Sequence, residues 1–347
     1  MNRKKIILFI CLLGVGIGLF FVFRFYQIFF WSNTTFENEY SYIFIDRDDT
    51  IDSLKIELNY FLKSTVDFDI AAEKKGYTKR ILPGKYRIMK GMGNNQIINT
   101  LRSERLATRV VFNNQERLED LVGRLSIQIE ADSLELLTAF QDSIFLADKG
   151  FNKKNALTMY IPNSYDVFWD ITPADFRKRM LDYHDLFWDE KRIAKARALK
   201  LNQKEVYILA SIIQKESVQL KEQNRIAGVY LNRLKIGMKL QADPTVIFAL
   251  KNETNDFRRI IKRVLYKDLD FKSLFNTYLY SGLPPGPITM PDISAIDAVL
   301  NSEEHDYLYF VASPLKPGYH LFAKNLKEHN KNRNVYTRWL KKQKIYR

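Results

Sequence analysis

The sequence predicts an α+β protein: an N-terminal transmembrane helix, a small α+β subdomain, and then a larger mixed α/β domain, with boundaries at 1–31, 32–109 and 110–347. Three observations carry this. The run that opens at Ile6 and closes at Phe23 contains no charged residue. Between residues 42 and 112, short strand and helix signals alternate. From Leu118 onward helical periodicity dominates, and no internal repeat or low-complexity tract divides the remainder.

At about 1.5 Å per residue the run 6–23 reaches about 27 Å as a helix, close to the thickness of a bilayer core. Arg3, Lys4 and Lys5 precede it and only Arg24 follows closely, which puts the N-terminus in the cytoplasm and the rest of the chain outside. Phe25, Tyr26, Phe29, Phe30 and Trp31 supply an interfacial aromatic belt. No small-x-small cleavage pattern follows, and the run exceeds the apolar region of a signal peptide, so an uncleaved anchor is expected. Residues 32–39, SNTTFENE, read as a short polar linker.

Residues 42–45 read as a strand and 51–62 as a helix with Ile51, Leu54, Leu58 and Leu62 on one face. A short helix over 69–75 ends at Gly76, and Leu82-Pro83-Gly84 turns the chain into a strand around Tyr86 and Ile88. Residues 94–102 are helical and 109–112 extended. Beyond them, Leu118, Leu121, Val122 and Leu125 mark one helix and Leu134, Leu137 and Phe140 another, while 176–198 is one long amphipathic helix or a pair.

Composition narrows the chemistry. Cys11, the single cysteine, lies within the apolar run, so no disulfide or cysteine-based metal site is expected beyond it. The four histidines, His184, His305, His320 and His329, show no paired ligand spacing, and neither a metal nor another cofactor is expected. The 54 basic residues exceed the 40 acidic ones by 14, without any long block of like charge. Such a dispersed excess suits an anionic membrane surface or polymer, and the absence of zinc-finger or RNP patterns argues against nucleic acid as a partner.

The chemical centre is expected near Glu216. Asn202 and Glu205 form a capping-box pattern ahead of Val206, Leu209, Ile212 and Ile213, and Glu216 falls at i+7, i+4 and i+3 from the last three. This spacing aims a carboxylate into an apolar stripe. Burial there disfavours the charged form, raises the pKa and suits the side chain to general acid catalysis near neutral pH.

A second helix over 221–236 faces the core with Ile226, Val229, Tyr230 and Leu234, carries Asn232 and Arg233 near its end, and stops at Gly237 in the C-cap position. Met238, Leu240 and Ala242 then alternate in an extended segment. Asp243 reads as the cap of the next helix, with Pro244 at its first position and Thr245 after it. Gln241 has no such structural duty and is a candidate substrate contact. Leu283-Pro284-Pro285-Gly286-Pro287 is a stiff loop suited to walling a groove, and Asn276 and Tyr278 just before it offer an amide and an amphipathic ring.

Four blocks, in order, carry a resemblance: ASIIQKES around Glu216, IAGVYLNRLKIGMKLQADPTVIFAL after it, FNTYLYSGLPPGPI, and DYLYFV followed by HLFAKNLKEHN. With them the chain resembles the YceG-like family, the endolytic murein transglycosylases, over roughly 207–330. The resemblance implies that the first subdomain is LysM-like and glycan-binding, the alternative being a spacer that lifts the active region off the membrane, and that the 110–347 domain is catalytic. It also raises Asn232, Arg233, Asp243, Thr245, Asn276, Tyr278, Pro285 and Gly286, beside Gln241, as substrate-side positions.

Two departures stand out. Many members read Glu-Lys-Glu where this chain has Gln214-Lys215-Glu216, which leaves Glu216 as the one acid of the motif. The segment LTMYIPNSY replaces the usual Pro-Asp-Thr-Tyr with Pro162-Asn163-Ser164-Tyr165 and lacks the preceding Glu-Gly.

Ordinary glycosidases need two carboxylates, whereas only Glu216 matches the family's catalytic position. The resemblance implies lytic transglycosylation. Glu216 would protonate the bond between MurNAc and GlcNAc and then act as a base while the sugar's own 6-hydroxyl attacks, leaving a 1,6-anhydro end. It further implies nascent glycan strands as substrate, peptidoglycan synthases as partners, and a single-pass location in the bacterial inner membrane. A non-catalytic glycan-binding scaffold is the alternative, and a hydrolase would need a second carboxylate such as Asp243 or Glu222. The basic tail, 331–347, reads as a disordered extension or a membrane-contacting end.

Overall fold

The computed structural model describes residues 3–343, which form a mixed helix and strand fold in two compact units. The first begins with α1 (Arg3–Phe30), a helix long and apolar enough to cross a membrane. Its last turn is anchored in the unit. Phe29 is buried, Arg24 pairs with Asp67 at 3.3 Å, and the Asn94 amide donates to the Ile28 carbonyl at 2.8 Å. Gly93 permits the approach, since a Cβ there would lie 2.8 Å from the Phe30 carbonyl oxygen.

The expected linker over 32–39 is instead stitched into this unit. Asn33 is buried, its amide donating to the Ser64 carbonyl and to Asn94 Oδ1 while its oxygen accepts from Ser64 N. Gly91 N donates to Thr34 Oγ1 at 2.8 Å. Polar composition alone did not reveal that these side chains spend their hydrogen bonds on the fold.

Strands β1 (Tyr40–Ile45) and β2 (Gly84–Met89) pair antiparallel, with α2 (Ile51–Leu58) and α3 (Thr65–Lys74) between them in sequence and α4 (Asn94–Ser103) after. The inward faces of Ile43, Ile45, Tyr86 and Ile88 meet Leu54, Leu58, Phe68, Ile97 and Leu101 in one core. The third helix starts earlier than the apolar pattern suggested, because Ser64 caps it by accepting from Asp67 N. Strand β3 (Ala107–Phe112) follows. Residues 127–131 and 165–172 belong to the same unit, where Phe44 meets Trp169 at 5.0 Å and Arg105 pairs with Asp170.

The second unit is mostly helical: α5 (Leu118–Leu125), α6 (Ser133–Phe140), α7 (Ser143–Asp148), then, past β4 (Asn163–Phe168), the pair α8 (Pro173–Phe187) and α9 (Glu190–Ala198). Asp189 caps the second of that pair by accepting from Arg192 N, which breaks the long amphipathic stretch in two. At the centre runs α10 (Gln203–Glu216), with every residue from Val206 to Ile213 buried. It starts where the capping box requires, Asn202 Oδ1 accepting from Glu205 N at 3.0 Å and Glu205 Oε2 from Asn202 N at 2.7 Å.

Around it pack α11 (Leu220–Lys235), α12 (Asp243–Thr254) and α13 (Ile293–Leu300). Gly237, at φ +70°, stands one residue past the C-cap Ile236. The chain closes with an antiparallel hairpin of β5 (Tyr309–Ala312) and β6 (His320–Ala323), covered by α14 (Leu326–Lys342). Over its described residues that helix corrects the reading of the basic tail as a disordered extension. Asn325 caps it by accepting from Glu328 N, Leu340 is buried, and its described residues form an ordered wall of the second unit.

Candidate active site

Glu216 is the last residue of α10 and opens onto a cavity of about 360 Å³. Its carboxyl Oε1 accepts from the Tyr230 hydroxyl of α11 at 2.8 Å. Burial raises its pKa to about 7; the nearby charge of Asp243 raises it further, while the Tyr230 hydrogen bond and Arg233 oppose the rise. The carboxyl is therefore substantially protonated at neutral pH, as the stripe position predicts. Burial also holds the Tyr230 phenol well above its ordinary range, so it remains a donor.

Arg233, Gln241, Asp243 and Tyr278 line the same cavity. Arg233 is buried and donates to the carbonyls of Leu308 at 2.7 Å and Leu240 at 2.5 Å, with its guanidinium 5.4 Å from the Tyr309 ring. Gln241 sits at φ +49°, a left-handed conformation that costs a non-glycine residue about 1 kcal/mol and is held by its N–H donating to the Thr277 carbonyl. Asp243 does not cap α12. Ala242 occupies that place, and the Asp243 carboxylate instead accepts from the Tyr278 hydroxyl at 2.6 Å.

The other expected positions lie outside the cavity. The Asn232 amide donates to the carbonyls of His305 at 2.7 Å and Tyr307 at 3.1 Å, so with Arg233 it fixes the segment leading into β5. Thr245 is buried and donates to the Ala242 carbonyl, beside Thr277. Asn276 is also buried; its amide donates to the carbonyls of Leu269 and Phe271, and its oxygen accepts from Tyr278 N, which orients the Tyr278 loop. Gly286 is packed against residue Lys154, and Ile288 N donates to Ser211 Oγ of α10. The Pro285-Gly286 loop is thus a brace for α10 rather than a cavity wall.

The C-terminal elements complete the cavity with Tyr309, Phe310, Leu326, His329 and Arg333, none of them singled out from sequence. The blocks DYLYFV and HLFAKNLKEHN contain four of these residues and were the available signal. Tyr309 stacks on His329 at 5.2 Å and 27°. Burial, with the charges of Arg333 and Arg233, holds the His329 pKa below its ordinary 6.5. Glu222, the other carboxylate considered, lies elsewhere, accepting from His320 N at 3.1 Å with His320 Nδ1 3.0 Å from its other oxygen.

One enclosed acid beside tyrosines and arginines can deliver a proton to a bound ether oxygen while aromatic rings support a sugar face. Comparison with known proteins agrees on the fold and family. The model of the YceG-like family matches residues 43–335. An endolytic murein transglycosylase of Bacillus subtilis is 29% identical over 298 residues, spanning 81% of this chain and 80% of that protein. One from Streptococcus pneumoniae is 25% identical over 303 residues, 78% of this chain and 53% of that protein. A crystal structure of a YceG-like protein from Listeria monocytogenes superposes with a TM-score of 0.56 at 26% identity, over 85% of this chain and 99% of that one. With more than half of its length matched by the family model, the chain belongs to the YceG-like family.

Proposed function

We propose that the protein is a membrane-anchored endolytic peptidoglycan transglycosylase. It cleaves the MurNAc–GlcNAc bond within nascent strands, leaves 1,6-anhydroMurNAc ends, and so limits strand length. The observation that carries this reading is Glu216, a carboxyl raised to about 7 in a cavity walled by Tyr309 and Phe310, in a chain whose relatives are named endolytic murein transglycosylases.

In this mechanism Glu216 is the general acid. It protonates the glycosidic oxygen as the bond to the anomeric carbon breaks, and the resulting carboxylate then takes the proton of the same sugar's 6-hydroxyl as that oxygen bonds to the anomeric carbon and closes the anhydro ring, so Glu216 is regenerated and no water is consumed. Tyr230 holds the carboxyl in place, and Gln241 and Tyr278 contact the glycan. Helix α1 serves as a single-pass anchor in the inner membrane with its N-terminus cytoplasmic, consistent with Arg3, Lys4 and Lys5 before it. The first unit, LysM-like in this reading, binds glycan, and peptidoglycan synthases supply the nascent strand.

Asp243 favours a second reading, hydrolysis, because it is another carboxylate on the cavity. Its engagement by the Tyr278 hydroxyl argues for a role in raising the pKa of Glu216 instead.

Mass spectrometry of purified peptidoglycan after incubation with the full chain in detergent separates the readings. Transglycosylation gives anhydro ends one water lighter than hydrolytic ends, absent with Glu216→Gln. Reducing ends would establish a hydrolase, and no cleavage by a folded wild type that still binds glycan would establish a scaffold.

A further inference from the structure

Two side chains on one face of α14 line the Glu216 cavity without a side-chain hydrogen bond or ion pair to another described residue. His329 and Arg333 are one helical turn apart, at i and i+4, and both line the cavity. The two ring nitrogens of His329 differ. Nδ1 is sealed from solvent and meets no hydrogen-bond partner, whereas Nε2 is the nitrogen left open. Charging the ring would bury an unsatisfied Nδ1–H, which agrees with the lowered pKa of this histidine. With no acceptor at Nδ1, the neutral ring carries its proton on Nε2 and presents a donor.

Arg333 is exposed and makes no side-chain hydrogen bond or ion pair among the described residues. This sets it apart from Arg233, whose guanidinium is committed to two backbone carbonyls. The stacking of His329 on Tyr309 fixes the imidazole plane at the cavity wall. The cavity thus joins the Glu216 carboxyl and two unspent donors, one of them cationic. A sugar with hydroxyls alone offers little reason for a fixed imidazole donor beside a free guanidinium. An acid-level oxygen on a substituent additional to the N-acetyl group that every residue of the strand carries does.

We propose that His329 and Arg333 form a specificity subsite that receives the oxygen atoms of the lactyl substituent of a MurNAc residue, His329 donating through Nε2–H and Arg333 through its guanidinium. The subsite distinguishes a muramyl strand from a neutral polymer of N-acetylglucosamine, which has no lactyl group. It rests on the peptidoglycan reading above, and its two residues are separate from the proton transfer at Glu216.

The test measures binding in a Glu216→Gln background, in the full chain in detergent, to two probes: a GlcNAc–MurNAc tetrasaccharide with free lactyl carboxylates, and chitotetraose. Arg333→Gln is expected to weaken the muramyl probe about tenfold, the cost of one charge-assisted hydrogen bond. His329→Phe, which keeps the stacked ring, is expected to weaken it severalfold. Neither variant should alter chitotetraose binding. In the otherwise wild-type enzyme, both should raise KM for stripped murein strands and leave kcat and the alkaline limb of the pH profile in place. Unchanged affinity for the muramyl probe would overturn the subsite, as would equal losses for both probes. The peptidoglycan reading fails separately, if the wild type yields no anhydro ends.

Discussion

The hydroxyl of Tyr230 donates to Glu216 Oε1 at 2.8 Å, so the group that fixes the acid in place is also one that pulls its pKa down. Burial wins this contest and leaves the carboxyl at about 7. The alkaline limb of activity should therefore reflect the loss of the Glu216 proton.

Tyr230→Phe removes a hydrogen bond that favours the carboxylate. A bond to a charged group contributes about 1.5–3 kcal/mol, so the alkaline limb should move up by about one pH unit. The pH dependence of kcat/KM on purified strands measures this, and an unmoved limb would mean that another group sets it.

Asp243→Asn should move the same limb the other way. Its carboxylate charge raises the Glu216 pKa, while an asparagine oxygen can still accept from the Tyr278 hydroxyl. A downward shift of up to about one unit is expected, seen in the same profile.

Stability should also record the acid. The folded-state pKa of Glu216 is about 7 against an ordinary 4.5, so the native state holds the proton more tightly than the unfolded chain does. Its stabilising contribution is complete below pH 4.5 and is lost as pH rises through 7. The full loss corresponds to roughly 3–4 kcal/mol, two and a half units at about 1.4 kcal/mol each. Glu216→Gln does not titrate, so it should gain stability relative to wild type between pH 5 and pH 8 in denaturant melts, while losing activity.

The braces should behave differently from the cavity residues. Asn276→Ala strips donors from the carbonyls of Leu269 and Phe271 and should cost about 2–3 kcal/mol. Gly286→Ala would put a Cβ 1.9 Å from the Lys154 carbonyl oxygen and should cost about 1–3 kcal/mol. Melting midpoints read both losses, and in protein that remains folded the alkaline limb should stay where it is.

Periodicity made Glu216 legible, because a carboxylate at i+3, i+4 and i+7 from Ile213, Ile212 and Leu209 is a local fact of one helix. The capping box at Asn202 was legible for the same reason. Tyr230 was read correctly as core-facing, but its apolar ring concealed that its hydroxyl reaches the acid. Asp243 obeys the composition of a helix start, yet Tyr278, distant in sequence, takes its carboxylate. His329 and Arg333 reach the cavity only because α14 packs back over the β5–β6 hairpin, a tertiary fact that the tail's basic composition does not encode. Asn33 likewise resembles linker until Asn94 and Ser64 bury it.

The central claim is that the protein keeps one carboxylic acid protonated near neutrality for proton donation. A carboxyl-carbon NMR titration of the full chain in detergent, with isotopically labelled glutamate and with Glu216→Gln to assign the resonance, measures this directly. A midpoint near 7 for Glu216, falling in Asp243→Asn, is the predicted result. A midpoint near the ordinary 4.5 would contradict it, since the carboxyl would then be ionised at neutral pH and unable to serve as the acid.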